Sequence, residues 1–249
     1  MDGNAGSTER QEAGLDIVTV SISVWSDVIC PWCFVGKAHL ESAVRRIAEQ
    51  SPEIELEVRW RAFEIDPHPS GPPTQRYAER LATKYHRSIE QAQEMIATTT
   101  EAIRDAGGHA DFDKVIAASA FDAHRLIQWA GETDRSNVTV NAQHRLNDSL
   151  MRGYFGDGLD LSNDEEMLDV VATLGLDRAA AEDVLVSKRF ADTVRDDERT
   201  AQQYGIQGVP FFVIGDYGLS GAQPSEALVE LILKVQSTTR GNATELNKR

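Results

Sequence analysis

Two cysteines, Cys30 and Cys33, stand three apart in the run Cys30-Pro31-Trp32-Cys33 and are the only thiols of a 249-residue chain. A pair at this spacing can exchange with a disulfide. One thiolate attacks a sulfur, a mixed disulfide forms, and the neighbouring thiol releases it. The chemistry needs one accessible sulfur held as thiolate and one resolving sulfur within reach. A helix N-terminus favours the thiolate through its unpaired N–H groups and the positive end of its dipole. Two other uses of the pair compete. Zinc wants four ligands, no second cysteine pair exists, and His39 falls on a different helix face, so a metal site is poorly supplied. Partial burial between Asp27-Val28-Ile29 and Pro31-Trp32 would suit inert thiols. Because both cysteines sit in one motif, and a chain this long needs no disulfide staple, redox chemistry is the most economical reading.

Something must hold that motif at a helix tip. Residues 17–25 alternate Val18, Val20, Ile22 and Val24 with Thr19, Ser21 and Ser23, the period of a strand with one buried face. After Ser26–Ile29 comes the dithiol. Cys33, Lys37, Leu40, Val44 and Ile47 then recur at steps of three and four on a single helical face. Pro31 fits the first turn, where its missing N–H costs nothing. The phasing places Cys30 at the tip facing outward and Cys33 on the inward stripe. Ser51-Pro52 ends the helix. Ile54, Leu56, Val58 and Trp60 alternate with charged residues as a second strand. A strand–helix–strand unit of this kind makes parallel neighbours.

From about Gln75 to Gln203 the pattern is helical. Candidate helices cover 75–85, 88–105, 114–130, 138–152, 164–174 and 178–204, the last broken. Ser162 with Glu165 reads as a capping box, and Gly175 as a closing C′ residue. No internal repeat is present; the triplets His124-Arg125-Leu126 and His144-Arg145-Leu146 read as unrelated helix faces. Strand pattern returns at Val209-Pro210-Phe211-Phe212-Val213-Ile214, an apolar run expected of a strand covered on both faces. Gly215-Asp216 signals a hairpin, residues 217–220 the return strand, and Pro224 opens a last helix whose polar end is expected to fray beyond Gln236. The whole reads as one α/β domain interrupted by a helical insertion. A proline opening a core strand is allowed only where its missing donor is tolerated. A cis Val209–Pro210 bond beside the dithiol would offer Val209 backbone groups to an incoming peptide as to an extra strand.

The formal charge of −15 repels phosphate backbones and argues against a nucleic-acid partner. No stretch approaches the ~20 apolar residues of a membrane span, and Met1–Asp16 has neither basic leader nor apolar core. The expected location is therefore the cytoplasm, with no membrane partner, and the Asn-x-Ser/Thr triplets at Asn137 and Asn242 carry no weight there.

These stretches, together with Arg59-Trp60-Arg61-Ala62-Phe63-Glu64, Ala123-His124-Arg125-Leu126 and Leu219-Ser220-Gly221-Ala222-Gln223-Pro224, resemble the DsbA-like branch of the thioredoxin superfamily, and within it the FrnE-like proteins. The resemblance implies an α/β thioredoxin-like fold with a large all-helical insertion. It would divide the chain into a discontinuous thioredoxin-like domain (17–66 and 190–236), an insertion (67–189) and flexible tails (1–16 and 237–249). It further implies disulfide exchange by Cys30 and Cys33, with Pro31, Trp32, Val209 and a cis Pro210 receiving a thiol- or disulfide-bearing protein. No cofactor is expected beyond the redox dithiol, with glutathione admitted as reductant or co-substrate, in a monomer or homodimer. The neutral Trp32 stands where DsbA proper has histidine, so the disulfide should be less oxidising. The position six before Cys30, a buried carboxylate in many thioredoxin-fold enzymes, is Val24; Asp27, Lys37 and Glu64 are the candidates to move protons instead, each equally readable as a surface or salt-bridging residue. The related kappa-class glutathione transferases and 2-hydroxychromene-2-carboxylate isomerases supply a second function, although they normally carry serine at the first cysteine. A non-catalytic binding or chaperone-like module is a third. An apolar patch around Trp32, Phe34 and Val209 would suit a substrate peptide or a second subunit.

Overall fold

The computed structural model describes residues 17–69, 75–134 and 141–246. Strand β1 (Val18–Ser26) leads through a tight turn into helix α1 (Pro31–Gln50), which returns to strand β2 (Ile54–Ala62). The two strands pair in parallel, with Val20 beside Leu56, Ile22 beside Val58 and Val24 beside Trp60. Strand β3 (Phe211–Ile214) lies antiparallel to the other edge of β1 and pairs with β4 (Tyr217–Ser220), giving the order β2-β1-β3-β4. The turn between β3 and β4 is Gly215-Asp216, and Gly215 takes φ +56°, where a side chain would be strained. Helix α9 (Ser225–Leu246) packs beside α1 and against β1 and β3.

The alternation in the strands becomes two differently filled faces. Val20, Ile22 and Val24 join Leu40, Ile47, Leu228 and Ile232 in the main core. The opposite face is polar at Thr19 and Ser21 but closes at Trp25, which packs with Ala201 and Ile206. Phe211 and Val213 lie on this second face, so β3 is apolar on both sides because both are covered.

Between β2 and β3 run seven α-helices among the described residues: α2 (Tyr77–Tyr85), α3 (Ile89–Asp105), α4 (Phe121–Thr133), α5 (Ala142–Arg152, running on into a π-helical turn over Gly153–Asp157), α6 (Asp164–Thr173), α7 (Arg178–Val186) and α8 (Ala191–Gln203). Local chemistry explains where they depart from expectation. The helix expected from residue 114 begins only at Phe121. Asp111 accepts the Asp113 N–H in an Asx turn, and the Ser119 hydroxyl takes the Phe121 N–H. Helix α6 is capped by Asn163, which accepts from Glu165 N, whereas the Ser162 hydroxyl is spent on Asp160. Its end is as expected: Gly175 at φ +72° donates to Ala172 O while Leu176 N reaches Val171 O, a Schellman closure. The break in 178–204 falls at Ser187–Phe190. The last helix does not fray at Gln236 but continues to Leu246, with the Ser237 and Thr238 hydroxyls bonded back to Lys234 O. Expectations placed on 1–16, on Asn137 and Val138, and on 247–249 lie outside the described residues.

Candidate active site

Cys30 is the N-cap of α1 (φ −93°, ψ 113°), and Pro31 is the first helical residue. The turn before the helix is held by Asp27, whose carbonyl accepts Cys30 N at 3.2 Å and whose carboxylate accepts Ile29 N at 3.2 Å. No acidic residue occupies the first turn of α1, so the positive end of the helix faces the Cys30 sulfur uncompensated by a carboxylate of that turn.

Both cysteines are free thiols. Cys33 is fully buried, and its sulfur accepts the Asp27 N–H at 3.5 Å. Burial first, and the adjacent Cys30 sulfur second, push the Cys33 thiol well above the ordinary thiol range, so it holds its proton in the folded chain. Cys30 corrects the expectation of an outward-facing sulfur. It sits at the helix tip but is only 6% exposed, with the Val209–Pro210 segment that leads into β3 lying against it. Its Sγ lies 3.6 Å from the Val209 carbonyl oxygen. The Val209–Pro210 bond is cis. Pro210 is docked from two sides. A Cβ on Gly36 would come within 2.7 Å of its ring, which requires glycine there, and its carbonyl accepts Gly221 N at 2.8 Å.

The exposed member of the motif is Trp32, 44% exposed. The expected patch of Trp32, Phe34 and Val209 does not form. Phe34 is completely buried against Gly108, so Trp32 stands on the rim without it. Trp32 borders a cleft of about 310 Å³ that opens onto Cys30 and is walled by α2, α3, Phe112 and Tyr154. Burial raises both Tyr77 and Tyr154, which line it as neutral phenols.

The three proton-handling candidates part company. Asp27 is completely buried and touches the dithiol through its N–H; its second carboxylate oxygen accepts Ile65 N at 2.7 Å. Lys37 is buried on the stripe but bound 2.9 Å from Glu41 and 2.5 Å from Asp148. Glu64 is bound to Arg195 at 2.6 Å and to Ser119. Sequence reasoning missed His124 as a neighbour of Asp27: its Nε2 is 3.4 Å from Asp27 Oδ1 and has no hydrogen-bond partner. Its position on the apolar side of α4, next to the buried Ala123 and Leu126, was the available signal. His39 is held by the Gln223 carbonyl at 2.9 Å, and no group of potential metal ligands forms among the described residues. None of the described helices is long and apolar enough to cross a membrane.

A parallel β-α-β unit carrying a dithiol at its helix tip, with a cis proline facing it and helices inserted before the final hairpin, defines a thioredoxin-type domain. Residues 21–233 match the DSBA-like thioredoxin domain family, and the chain belongs to it. A probable DsbA oxidoreductase from Streptomyces coelicolor superimposes with a TM-score of 0.76 at 35% identity, over 87% of this chain and 89% of that one. YwbO of Bacillus subtilis, described as uncharacterised, is 26% identical over 222 residues, 86% of this chain and 96% of that protein. A 2-hydroxychromene-2-carboxylate isomerase shares the fold at 15% identity, with a TM-score of 0.57 over 90% of this chain and 98% of its own.

Proposed function

We propose that the protein is a cytoplasmic, FrnE-like thiol–disulfide oxidoreductase in which Cys30 is the nucleophile and Cys33 the resolving thiol. The observation that carries this reading is the asymmetry of the pair. One sulfur reaches a cleft from the positive end of a helix, and the other is buried and kept protonated behind it. Cys30 attacks a substrate sulfur beside the Val209 carbonyl. Cys33 then gives up its proton, attacks Cys30 Sγ and releases the substrate as thiol. In this reading the Asp27 carboxylate takes that proton, supported by its backbone N–H at the Cys33 sulfur and by His124 3.4 Å from its Oδ1. Pro31, Trp32, Val209 and Pro210 form the substrate side of the site, and no cofactor takes part.

The test is a pair of serine variants. Cys30→Ser should abolish reduction of a disulfide substrate and trap nothing. Cys33→Ser should accumulate mixed disulfides through Cys30, visible as mass adducts reversed by dithiothreitol. If both variants keep full activity, the dithiol reading is wrong. A nearly silent Cys33→Ser with tight glutathione binding would instead favour the transferase–isomerase chemistry. A dithiol that exchanges with no disulfide would leave only a binding module. Keeping a cysteine at both positions supports exchange over either alternative.

A further inference from the structure

The cleft that reaches Cys30 contains a group the exchange chemistry does not use. Arg80, on α2, lines it; its guanidinium is within hydrogen-bonding reach of the Tyr154 hydroxyl, while its Nη1 atom is buried without a hydrogen-bond partner. Its guanidinium lies 5.7 Å from the Tyr77 ring, and Tyr77 and Cys30 border the same cleft. No carboxylate pairs with Arg80 among the described residues, although the chain carries fifteen more acidic than basic side chains. Lys84, one turn further along α2, also lines the cleft, its ammonium 3.3 Å from the Ile65 carbonyl and 6.0 Å from the Tyr85 ring. Asp66 is the one carboxylate on the wall, and it forms no ion pair with either. A buried guanidinium nitrogen with an open donor is costly unless something fills it.

Resting on the exchange reading, we propose that this cleft selects small disulfides bearing a carboxylate, and that Arg80 is the residue that reads the carboxylate while Cys30 attacks the sulfur. A guanidinium presents a planar fork of donors that matches a carboxylate. A phosphate dianion fits less well, since Lys84 is already engaged and the surrounding charge is strongly negative. Size and access point to a small molecule. The cleft holds about 310 Å³, and Cys30, on its lining, is only 6% exposed, which disfavours a disulfide fixed in a folded surface. Met95, Ile96 and Phe112 supply an apolar wall for the intervening methylenes.

The step balances without a further reactant. Cys30 thiolate forms a bond to one substrate sulfur as the substrate S–S bond breaks, and the departing thiolate takes a proton. Cys33 loses its proton and attacks Cys30 Sγ, releasing the second thiol. Two electrons pass from the dithiol, which becomes a disulfide, to the substrate, which becomes two thiols.

The experiment is a single turnover of fully reduced protein with dithiodipropionate (anionic), hydroxyethyl disulfide (neutral) and cystamine (cationic), each rate divided by that with free dithiothreitol. The anionic probe should exceed the neutral one by about tenfold or more, the worth of a charge-assisted hydrogen bond, with the cationic probe slowest. Arg80→Gln should bring the anionic-to-neutral ratio down towards one, and Arg80→Lys should keep part of it. A wild-type ratio near or below one overturns the proposal without any variant, as does an unchanged ratio in folded Arg80→Gln. If none of the three disulfides reacts, the exchange reading fails first, and this inference falls with it.

Discussion

Two copies of the triplet His-Arg-Leu occupy the same kind of place in neighbouring helices, and they end in different company. In α4, Leu126 is fully buried, Arg125 binds the carbonyls of Val184 and Ser187 at the end of α7, and His124 turns to Asp27. In α5, Leu146 is fully buried, Arg145 binds the Leu174 carbonyl at the end of α6, and His144 turns to Glu41 at 2.9 Å. Reading the triplets as unrelated faces was therefore a mistake. Each fastens a helix end with its arginine and reaches an acid of the β1–α1 region with its histidine. The acids differ. Glu41 shares Lys37 with Asp148, which Arg152 holds in turn, so the second cluster is closed on itself. Burial would raise Glu41, but the His144 hydrogen bond and the Lys37 charge outweigh it and lower the carboxyl to about 2. Asp27 is bound to two backbone N–H groups and touches Cys33 through its own. Both clusters are buried, and of the two it is the Asp27 cluster that touches a cysteine.

Removing one partner of a closed buried cluster has the largest expected cost. Lys37→Met would leave Glu41 and Asp148 without the buried cation they share, held only by His144 and Arg152 at the edge, and should destabilise the fold by about 3 kcal/mol, read by urea denaturation. Its exchange rate and pH profile, measured where the variant is folded, should match the parent. A changed profile would make this cluster part of the machinery and erase the contrast.

Asp27→Asn tests the other side. Asparagine offers one acceptor where Asp27 uses two, so one buried N–H loses its partner at about 1–3 kcal/mol. Unlike Lys37→Met, it should also slow release of the mixed disulfide at least tenfold and displace the pH dependence of that step. Stopped-flow kinetics showing an unaltered resolving step would reduce Asp27 to a structural brace.

The smallest effect is a pH dependence. Folding raises the Cys33 thiol, so the folded chain keeps a proton that the unfolded chain releases above its ordinary thiol pKa of about 9. Stability of the reduced protein should be intact below that pH and fall above it, by at most about 1.4 kcal/mol per pH unit. Oxidised protein and Cys33→Ser should lack the part of the decline between about pH 9 and 10, below the range where the burial-raised Tyr77 and Tyr154 add a loss common to all forms. An equal loss between about pH 9 and 10 in all three forms would remove Cys33 from the account.

Much of the site was legible because its signals are local. Cys30 and Cys33 share one helical turn, and the period of Cys33, Lys37 and Leu40 assigned the inward face without any distant contact. Val209-Pro210 was legible as a strand opening, since proline constrains its own backbone. The start of α4 was not legible, because Asp111 and Ser119 redirect backbone donors that helical periodicity cannot register.

The sequence by itself determined the dithiol, the strand–helix–strand unit that holds it and the inward phase of Cys33. These follow from residue type and spacing within about thirty positions. Tertiary structure alone decided that Cys30 lies on the lining of a cleft and not on open surface, that Phe34 is sealed away, and that His124 belongs with Asp27 while His144 belongs with Glu41. It also decided that Arg80 keeps an unpartnered Nη1 in the cleft that Cys30 lines. Each of these depends on which groups distant in the chain desolvate and pair one another, and that information appears only once the helices between β2 and β3 have closed over the tip of α1.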